Sequence, residues 1–303
     1  MRRAIAPLVV GICCASALFA QDPDWSKIEI KSQELAPGLY MLQGAGGNIG
    51  LSVGDDGAVL IDDQFAPLSD KIKAAIAALT PKPVRFVVNT HWHGDHTGGN
   101  EWLGKAGVVI VAHDNVRKRM SVEQVNELWG RTTPPSPAAA LPILTFSEDV
   151  TLHVNGRDLH VVHFPPAHTD GDAIVEFQGT DVIHAGDVFF NGRYPVIDVP
   201  SGGTLTGMIE ASDRLLRMAG PSTKIIPGHG PLGGVAELRA FHDMLVQAKS
   251  RLAPLVAAGQ SADDLVKAKP LADLDAVWGQ GGMTPERFLR AAHMSLKREA
   301  APR

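Results

Sequence analysis

The sequence predicts one α/β domain in which two sheets lie in the middle and helices cover both outer faces. Three observations lead there. Strand-length apolar runs followed by segments of helical spacing occur twice over along the chain. No linker divides it, so a single domain spans residues 21–303. Residues able to bind metals stand at the C-terminal ends of apolar runs, where a rigid sheet presents them to solvent.

Residues 1–20 are set apart from that domain. Arg2 and Arg3 precede an apolar run over residues 5–19, and Ala20 precedes the polar Gln21-Asp22. A basic start and an apolar run too short for a membrane span describe a secretory signal peptide. Cleavage after Ala20, or alternatively Ala17, makes the protein periplasmic or secreted, without stable membrane insertion; an uncleaved anchor is the plainer alternative. Both cysteines, Cys13 and Cys14, fall in this segment. The mature chain then has no disulfide, thiol nucleophile or thiolate ligand. Hydrophobic content of 45% and charged content of 20% allow a buried core. The net charge of −5, which becomes −7 when Arg2 and Arg3 are removed, argues against nucleic acid as a partner. A small-molecule substrate is the expected partner, and no feature of the sequence sets an oligomeric state.

In chain order, residues 22–35 form a polar lead-in, 38–42 and 49–53 read as strands, and Asp55-Asp56-Gly57 is a hairpin turn before a strand at 58–61. Ile72, Ile76 and Leu79 have helical spacing between Ser69 and Pro81. Buried strands follow at 84–88 and 108–111, and residues 114–129 read as helix. Pro134, Pro135, Pro137 and Pro142 make residues 132–142 a loop, either a lid near the site or a solvated connector. Asn155-Gly156 marks a second hairpin within 150–164, with strands at 173–177 and 181–185, a helix over 206–218 and a last strand at 224–226. The remainder is mostly helical, over 236–253, 261–268 and 284–298.

Residues 89–100, Asn-Thr-His-Trp-His-Gly-Asp-His-Thr-Gly-Gly-Asn, supply His91, His93, Asp95 and His96 within six positions, on a loop that follows a strand. Imidazole and carboxylate are the ligands that zinc and similar divalent metals prefer. Three further candidates end apolar runs in the same way: His168, Asp187 and His229. Seven ligands are too many for one tetrahedral zinc and suit two adjacent metals sharing a carboxylate.

The run His91-Trp92-His93-Gly94-Asp95-His96, then His168, Asp187 and Pro227-Gly228-His229-Gly230, resembles the metallo-β-lactamase superfamily over residues 38–231. The resemblance implies an αββα four-layer sandwich with two divalent metals, zinc being favoured, at one edge. It implies His91, His93 and His168 on the first metal, Asp95, His96 and His229 on the second, and Asp187 bridging them. Asp62 resembles the buried acid that supports the ligand loop. Paired cations would lower the pKa of a shared water so that hydroxide exists at neutral pH and attacks a carbonyl. Asp95 is the candidate proton carrier.

The mature chain lacks the cysteine of one lactamase subclass, and Asp187 is similar instead to the bridging acid of glyoxalase II and the wider hydrolase group. The leading expectation is an exported di-zinc hydrolase of a cyclic amide, ester or thioester, with β-lactams as one candidate substrate. Alternatives are a thioester or lactone hydrolase without lactamase activity, and a non-catalytic metal-binding or sulfur-relay accessory protein. Candidate substrate contacts are Trp92, Arg193 and Tyr194. Trp92 either lines the mouth of the site or packs under the loop. Arg193 either holds a substrate carboxylate or makes a surface salt bridge. His113 and His184 are read as core or supporting residues, and Met120 and Trp129 as helix packing or the inner wall of the insertion.

Overall fold

The computed structural model describes residues 23–126 and 130–301. Four antiparallel strands open it: β1 (Lys31–Ala36), β2 (Leu39–Gln43), β3 (Ile49–Gly54) and β4 (Gly57–Ile61). Helix α1 (Ser69–Leu79) carries the chain back, so that β5 (Val84–Asn89) pairs parallel to β4. Short helices α2 (Gly94–Thr97) and α3 (Asn100–Lys105) lead into β6 (Val109–His113). Helix α4 (Asp114–Met120) and a small hairpin, β7 (Gln124–Asn126) with β8 (Arg131–Thr133), precede β9 (Leu144–Phe146), which returns to β6. The first sheet thus has seven strands, ordered β1-β2-β3-β4-β5-β6-β9.

The second sheet has five strands in sequence order. They are β10 (Asp149–Val154), β11 (Arg157–His163), β12 (Ala173–Phe177), β13 (Val182–Phe190) and β14 (Lys224–His229). Helix α5 (Leu205–Met218) makes the crossover between the parallel pair β13 and β14. Helices α6 (Val235–Ala257), α7 (Ala262–Ala268), α8 (Ala272–Trp278) and α9 (Pro285–Glu299) follow. None of the helices among the described residues is long and apolar enough to cross a membrane.

Three apolar layers hold these elements together. Ile72, Ile76 and Leu103 cover the outer face of the first sheet, beside Leu51, Leu60 and Val87. Met41, Ile61 and Val88 meet Val161, Val175 and Ile226 between the sheets. Phe189, Leu215, Phe241, Leu245 and Phe288 fill the space between the second sheet and the outer helices. The order is helix, sheet, sheet, helix, the predicted αββα sandwich.

One stretch departs from its sequence reading. Residues 114–129 do not form one helix: α4 ends at Met120 and the chain turns into the β7–β8 hairpin. The Ser121 hydroxyl donates to the Arg117 carbonyl at 2.7 Å and the Gln124 amide to the Arg119 carbonyl at 3.0 Å. These side chains add to the backbone capping of the last turn, in which the Ser121 N–H donates to the Arg117 carbonyl and the Val122 N–H to the Arg119 carbonyl. Trp129 lies outside the described residues. The Pro-rich segment is divided: residues 132–135, 137 and 138 are exposed, with Thr133, Pro134 and Ser136 bordering a cavity, while its last residues pack on the core. Ala140 is buried, its carbonyl accepts from Asn100 Nδ2 at 3.0 Å, and a Cβ on Gly104 would come within 1.8 Å of the Ala139 oxygen.

Helix α9 is pinned chiefly by Phe288, which is fully buried and stacks on Tyr194 at 4.2 Å between ring centroids, 6° from parallel. Phe288→Ala is expected to cost about 3–5 kcal/mol of stability. Urea unfolding checks it; an unchanged midpoint would mean that α9 is not packed as described.

Candidate metal centre

Every candidate ligand stands at one edge of the sandwich. The loop after β5 carries His91 and His93, and α2 carries Asp95 and His96; the loop after β11 carries His168; β14 ends on His229. Asp187 lies inside β13, not beyond it. There the pairing with β14 is irregular and Gly186 has a φ of 50°, a left-handed turn that glycine adopts without strain. Gly228 opposite has no room for a side chain, since a Cβ would sit 1.9 Å from Asp187 Oδ1. Gly47 is similarly constrained, at 2.1 Å from His96 Cε1.

The ligand atoms gather into two groups, His91, His93, His168 and Asp187 in one and Asp95, His96 and His229 in the other. Asp187 joins them through opposite oxygens. Its Oδ2 lies 3.3 Å from His168 Nε2 and 3.8 Å from His91 Nε2. Its Oδ1 lies 3.2 Å from His96 Nε2 and 3.4 Å from His229 Nε2. Asp95 Oδ2 is 3.3 Å from His229 Nε2. Ring nitrogens face each other closely, His93 Nδ1 and His168 Nε2 at 2.8 Å and His96 Nε2 and His229 Nε2 at 3.4 Å. His91 Nε2 and Asp187 Oδ1 are buried without a hydrogen-bond partner. Converging nitrogen and oxygen donors with orphaned lone pairs fit divalent cations.

The outward nitrogens are fixed by the surrounding chain. Thr90 Oγ1 is 3.1 Å from His91 Nδ1, Asp198 Oδ2 is 2.8 Å from His93 Nε2, and the Val196 carbonyl is 2.7 Å from His168 Nδ1. Asp62 Oδ2 is 2.7 Å from His96 Nδ1 and accepts from the Thr90 hydroxyl at 2.8 Å, while Oδ1 accepts from the Thr90 N–H at 2.8 Å. Such contacts select the tautomer that turns a bare nitrogen inward. Asp62 has a φ of 63°, unusual for a residue with a side chain, and its carboxylate contacts hold it there. His229 instead stacks on Phe190, with ring centroids 5.2 Å apart.

The electrostatics agree with this chemistry. Burial pushes His91 well below the usual imidazole range and His168 down to about 4, so both rings are neutral as ligation requires. Burial would raise Asp187, yet the rings of His229, His96 and His168 outweigh it and hold the carboxylate ionised. Burial lowers His96 too, but Asp187, Asp95 and Asp62 prevail and draw its pKa well above the imidazole range. Those carboxylates demand positive charge at the point where a cation would stand.

Two supporting residues escaped the sequence reading. Asp198 follows only the apolar pair Val196-Ile197 and meets His93 across 105 residues, a partnership that the fold alone creates. Asp172 folds the His168 loop by accepting from the N–H groups of His168 at 2.7 Å and Thr169 at 2.9 Å. Burial raises Asp172 to about 7. His184 has the supporting role expected, its Nε2 3.1 Å from the Asn48 carbonyl.

A cavity of about 440 Å³ opens over the centre. Phe65, Trp92, Met120, Phe190 and Met283 give it apolar walls, and Arg193 and Arg131 reach it as well. Trp92 does both things considered for it: it is 8% exposed, lines the cavity and meets His93 edge-on at 4.6 Å. Tyr194 is a correction. Although it borders the cavity, it is fully buried and its hydroxyl donates to Asp275 Oδ1 at 2.9 Å, a use in packing rather than in substrate contact.

The family model described as the metallo-beta-lactamase superfamily matches residues 42–235. A metallo-beta-lactamase type 2 of Bacteroides fragilis is 22% identical over 157 residues, covering 52% of this chain and 57% of that protein. A probable metallo-hydrolase, YqgX, of Bacillus subtilis (strain 168) is 27% identical over 157 residues, covering 50% of this chain and 70% of that one. The chain therefore spans little more than half the length of the first of these. Among solved structures, a metallo-beta-lactamase from Pontibacter korlensis superposes with a TM-score of 0.60 at 20% identity, covering 72% of this chain and 99% of its own, which is a likeness of fold.

Asp198→Ala is expected to weaken metal binding about 10- to 100-fold, the usual effect of removing a carboxylate that orients a histidine ligand. Chelator competition measures it; an unchanged affinity would show that the Asp198 contact does not orient His93.

Proposed function

The chain belongs to the metallo-beta-lactamase superfamily, and on that premise we propose that it is an exported metal-dependent hydrolase that holds two zinc ions and opens a cyclic amide, ester or thioester. The observation that carries the reading is the division of Asp187, one oxygen toward His91 and His168 and the other toward His96 and His229. In this reading His91, His93 and His168 hold one ion, Asp95, His96 and His229 the other, and Asp187 bridges them. Bound there, the pair supplies Lewis-acid polarisation of a carbonyl and hydroxide at neutral pH.

The chain's own residues do the rest. Asp95 is the most open carboxylate of the set, with a side chain 24% exposed, and is placed to carry a proton to the leaving group. Trp92, Phe65 and Phe190 keep the substrate's apolar body against the centre and limit water. Export rests on residues 1–20, which lie outside the described residues.

β-Lactams are one candidate substrate. A second reading, thioester or lactone hydrolysis with negligible lactamase activity, is favoured by a bridging carboxylate in a chain with no cysteine after Cys14. A chromogenic cephalosporin, a lactone and a thioester, tested with metal-quantified protein, separate the two. Turnover of none would remove the hydrolase assignment for these classes. Asp187→Ala is expected to lower kcat/KM by roughly 10²–10³-fold, the scale for removing one electrostatic element at a reacting centre, and to lower metal content with the far-UV spectrum unchanged. Full metal content and rate in that variant would refute the bridging role.

A further inference from the structure

The chain after residue 235 lies beyond the family match, yet its last helix, α9, reaches back toward the metal centre. The link is the segment 196–206, which leads from β13 into α5. It fixes two of the three histidines assigned to one ion. The Val196 carbonyl is 2.7 Å from His168 Nδ1, and Asp198 Oδ2 is 2.8 Å from His93 Nε2. The same segment grips the His168 loop along its backbone. The Asp198 N–H donates to the His168 carbonyl at 3.0 Å, the Thr204 N–H to the Ala167 carbonyl at 2.9 Å, and the Asp170 N–H to the Ser201 carbonyl at 2.9 Å. A Cβ on Gly203 would stand 2.2 Å from the His168 oxygen, so the two backbones lie in direct contact.

Helix α9 holds this segment from its other side. Arg298 Nη1 donates to the Val199 carbonyl at 2.5 Å, one residue after Asp198. The buried Ser295 hydroxyl accepts from the Leu205 N–H at 2.8 Å and donates to Glu299 at 2.7 Å, and Glu299 also accepts from the Thr206 hydroxyl. Val199 and Leu205 share an apolar layer with Ala292 and Leu296. The histidines assigned to the other ion have different supports: Asp62, after β4, meets His96, and Phe190 stacks on His229. The two halves of the centre therefore stand on separate parts of the chain, and α9 stands behind the half that holds His93 and His168. A ring held from behind loses less orientational freedom when it binds a cation, so stiffness in this segment becomes affinity.

We propose that Arg298 and Ser295 are positioning residues, through which α9 sets how tightly the ion on His91, His93 and His168 is held, and thereby whether the centre carries one ion or two when metal is scarce. The inference rests on the two-ion reading for its meaning, while one arm of its test needs no ion.

Zinc is titrated into the metal-free full chain against a chromophoric chelator, which gives a constant for each ion; Asp198→Ala marks the constant that belongs to the His93 side. Arg298→Ala is expected to weaken that constant about 3- to 10-fold, below the scale for removing the orienting carboxylate itself, and to leave the other within about twofold. Ser295→Ala is expected to divide the constants in the same direction. Arg298→Lys keeps a donor for the Val199 carbonyl and is expected to recover part of the loss. In an Asp198→Ala background the effect of Arg298→Ala is expected to shrink, because both act on His93 by one route. No change in either constant, an equal fall in both, or full additivity with Asp198→Ala would each overturn the proposal. Amide exchange in the metal-free protein is the arm without an ion. There Arg298→Ala is expected to speed exchange at the Asp198 and Thr204 N–H groups by about tenfold. Unchanged exchange would overturn the proposal and leave the two-ion reading standing. A wild type that takes up a single ion would end that reading and leave the exchange result standing.

Discussion

The structure depends on how it partners carboxylates in places that water does not reach. Asp62, Asp187 and Asp198 are each at least 96% buried. An isolated carboxylate there would cost several kcal/mol or take up a proton. Asp62 is instead met by fixed donors on Thr90 and His96, and Asp198 by His93 and the Ser201 N–H, while four imidazoles face Asp187. Among these, Asp187 lacks an ordinary hydrogen bond on Oδ1. The compensation is complete at the periphery and incomplete at the centre, as a shell arranged around cations requires.

The layered fold makes this compensation possible by gathering ends of different strands at one edge. Asp62 follows β4 and Thr90 follows the adjacent parallel strand β5, so a single carboxylate spans neighbouring strand ends. Asp187 and His229 come from the parallel neighbours β13 and β14 in the other sheet. The centre thus bridges both sheets, and the Met41–Val161–Ile226 layer between them sets its spacing. Tight backbone approaches at Gly47 and Gly228 follow from the same closeness, because a methyl group at either would displace a ligand.

The parts legible in the sequence were those whose signal is local. Five ligands come from two short runs, 91–96 and 227–230, and the alternation of apolar runs with helical spacing exposed the sandwich. Asp62 was legible as an acid closing an apolar strand. What failed were features set by distant partners. Asp198 finds His93 only through the fold, and the 114–129 stretch has helical spacing but its helix ends at Met120, where the Ser121 and Gln124 side chains add to the cap before the chain enters a hairpin. Tyr194 was read from its nearness to Asp187 along the chain. Adjacent residues there point to different environments, so Arg193 reaches the cavity while Tyr194 serves the helical layer.

That last division bears on how a shared fold acquires its own substrate. The ligand shell offers little freedom: His91, His93, His96 and His168 are held from behind, and Gly47 and Gly228 leave no room for a side chain. The cavity walls are under no such restriction. One is the β7–β8 hairpin with Arg131 and Pro134, and the other is the α8–α9 loop with Gly282 and Met283. Among the described residues neither contributes a metal-binding group, and the hairpin reaches the centre only at second hand, where Asn126 Nδ2 donates to Asp198 Oδ1 at 3.3 Å. Tyr194 connects the second wall to the core, stacking on Phe288 and bonding Asp275 while its neighbour faces the cavity. Specificity in such a protein is expected to reside in wall residues whose backbones the core fixes, as Tyr194 fixes that of its neighbours.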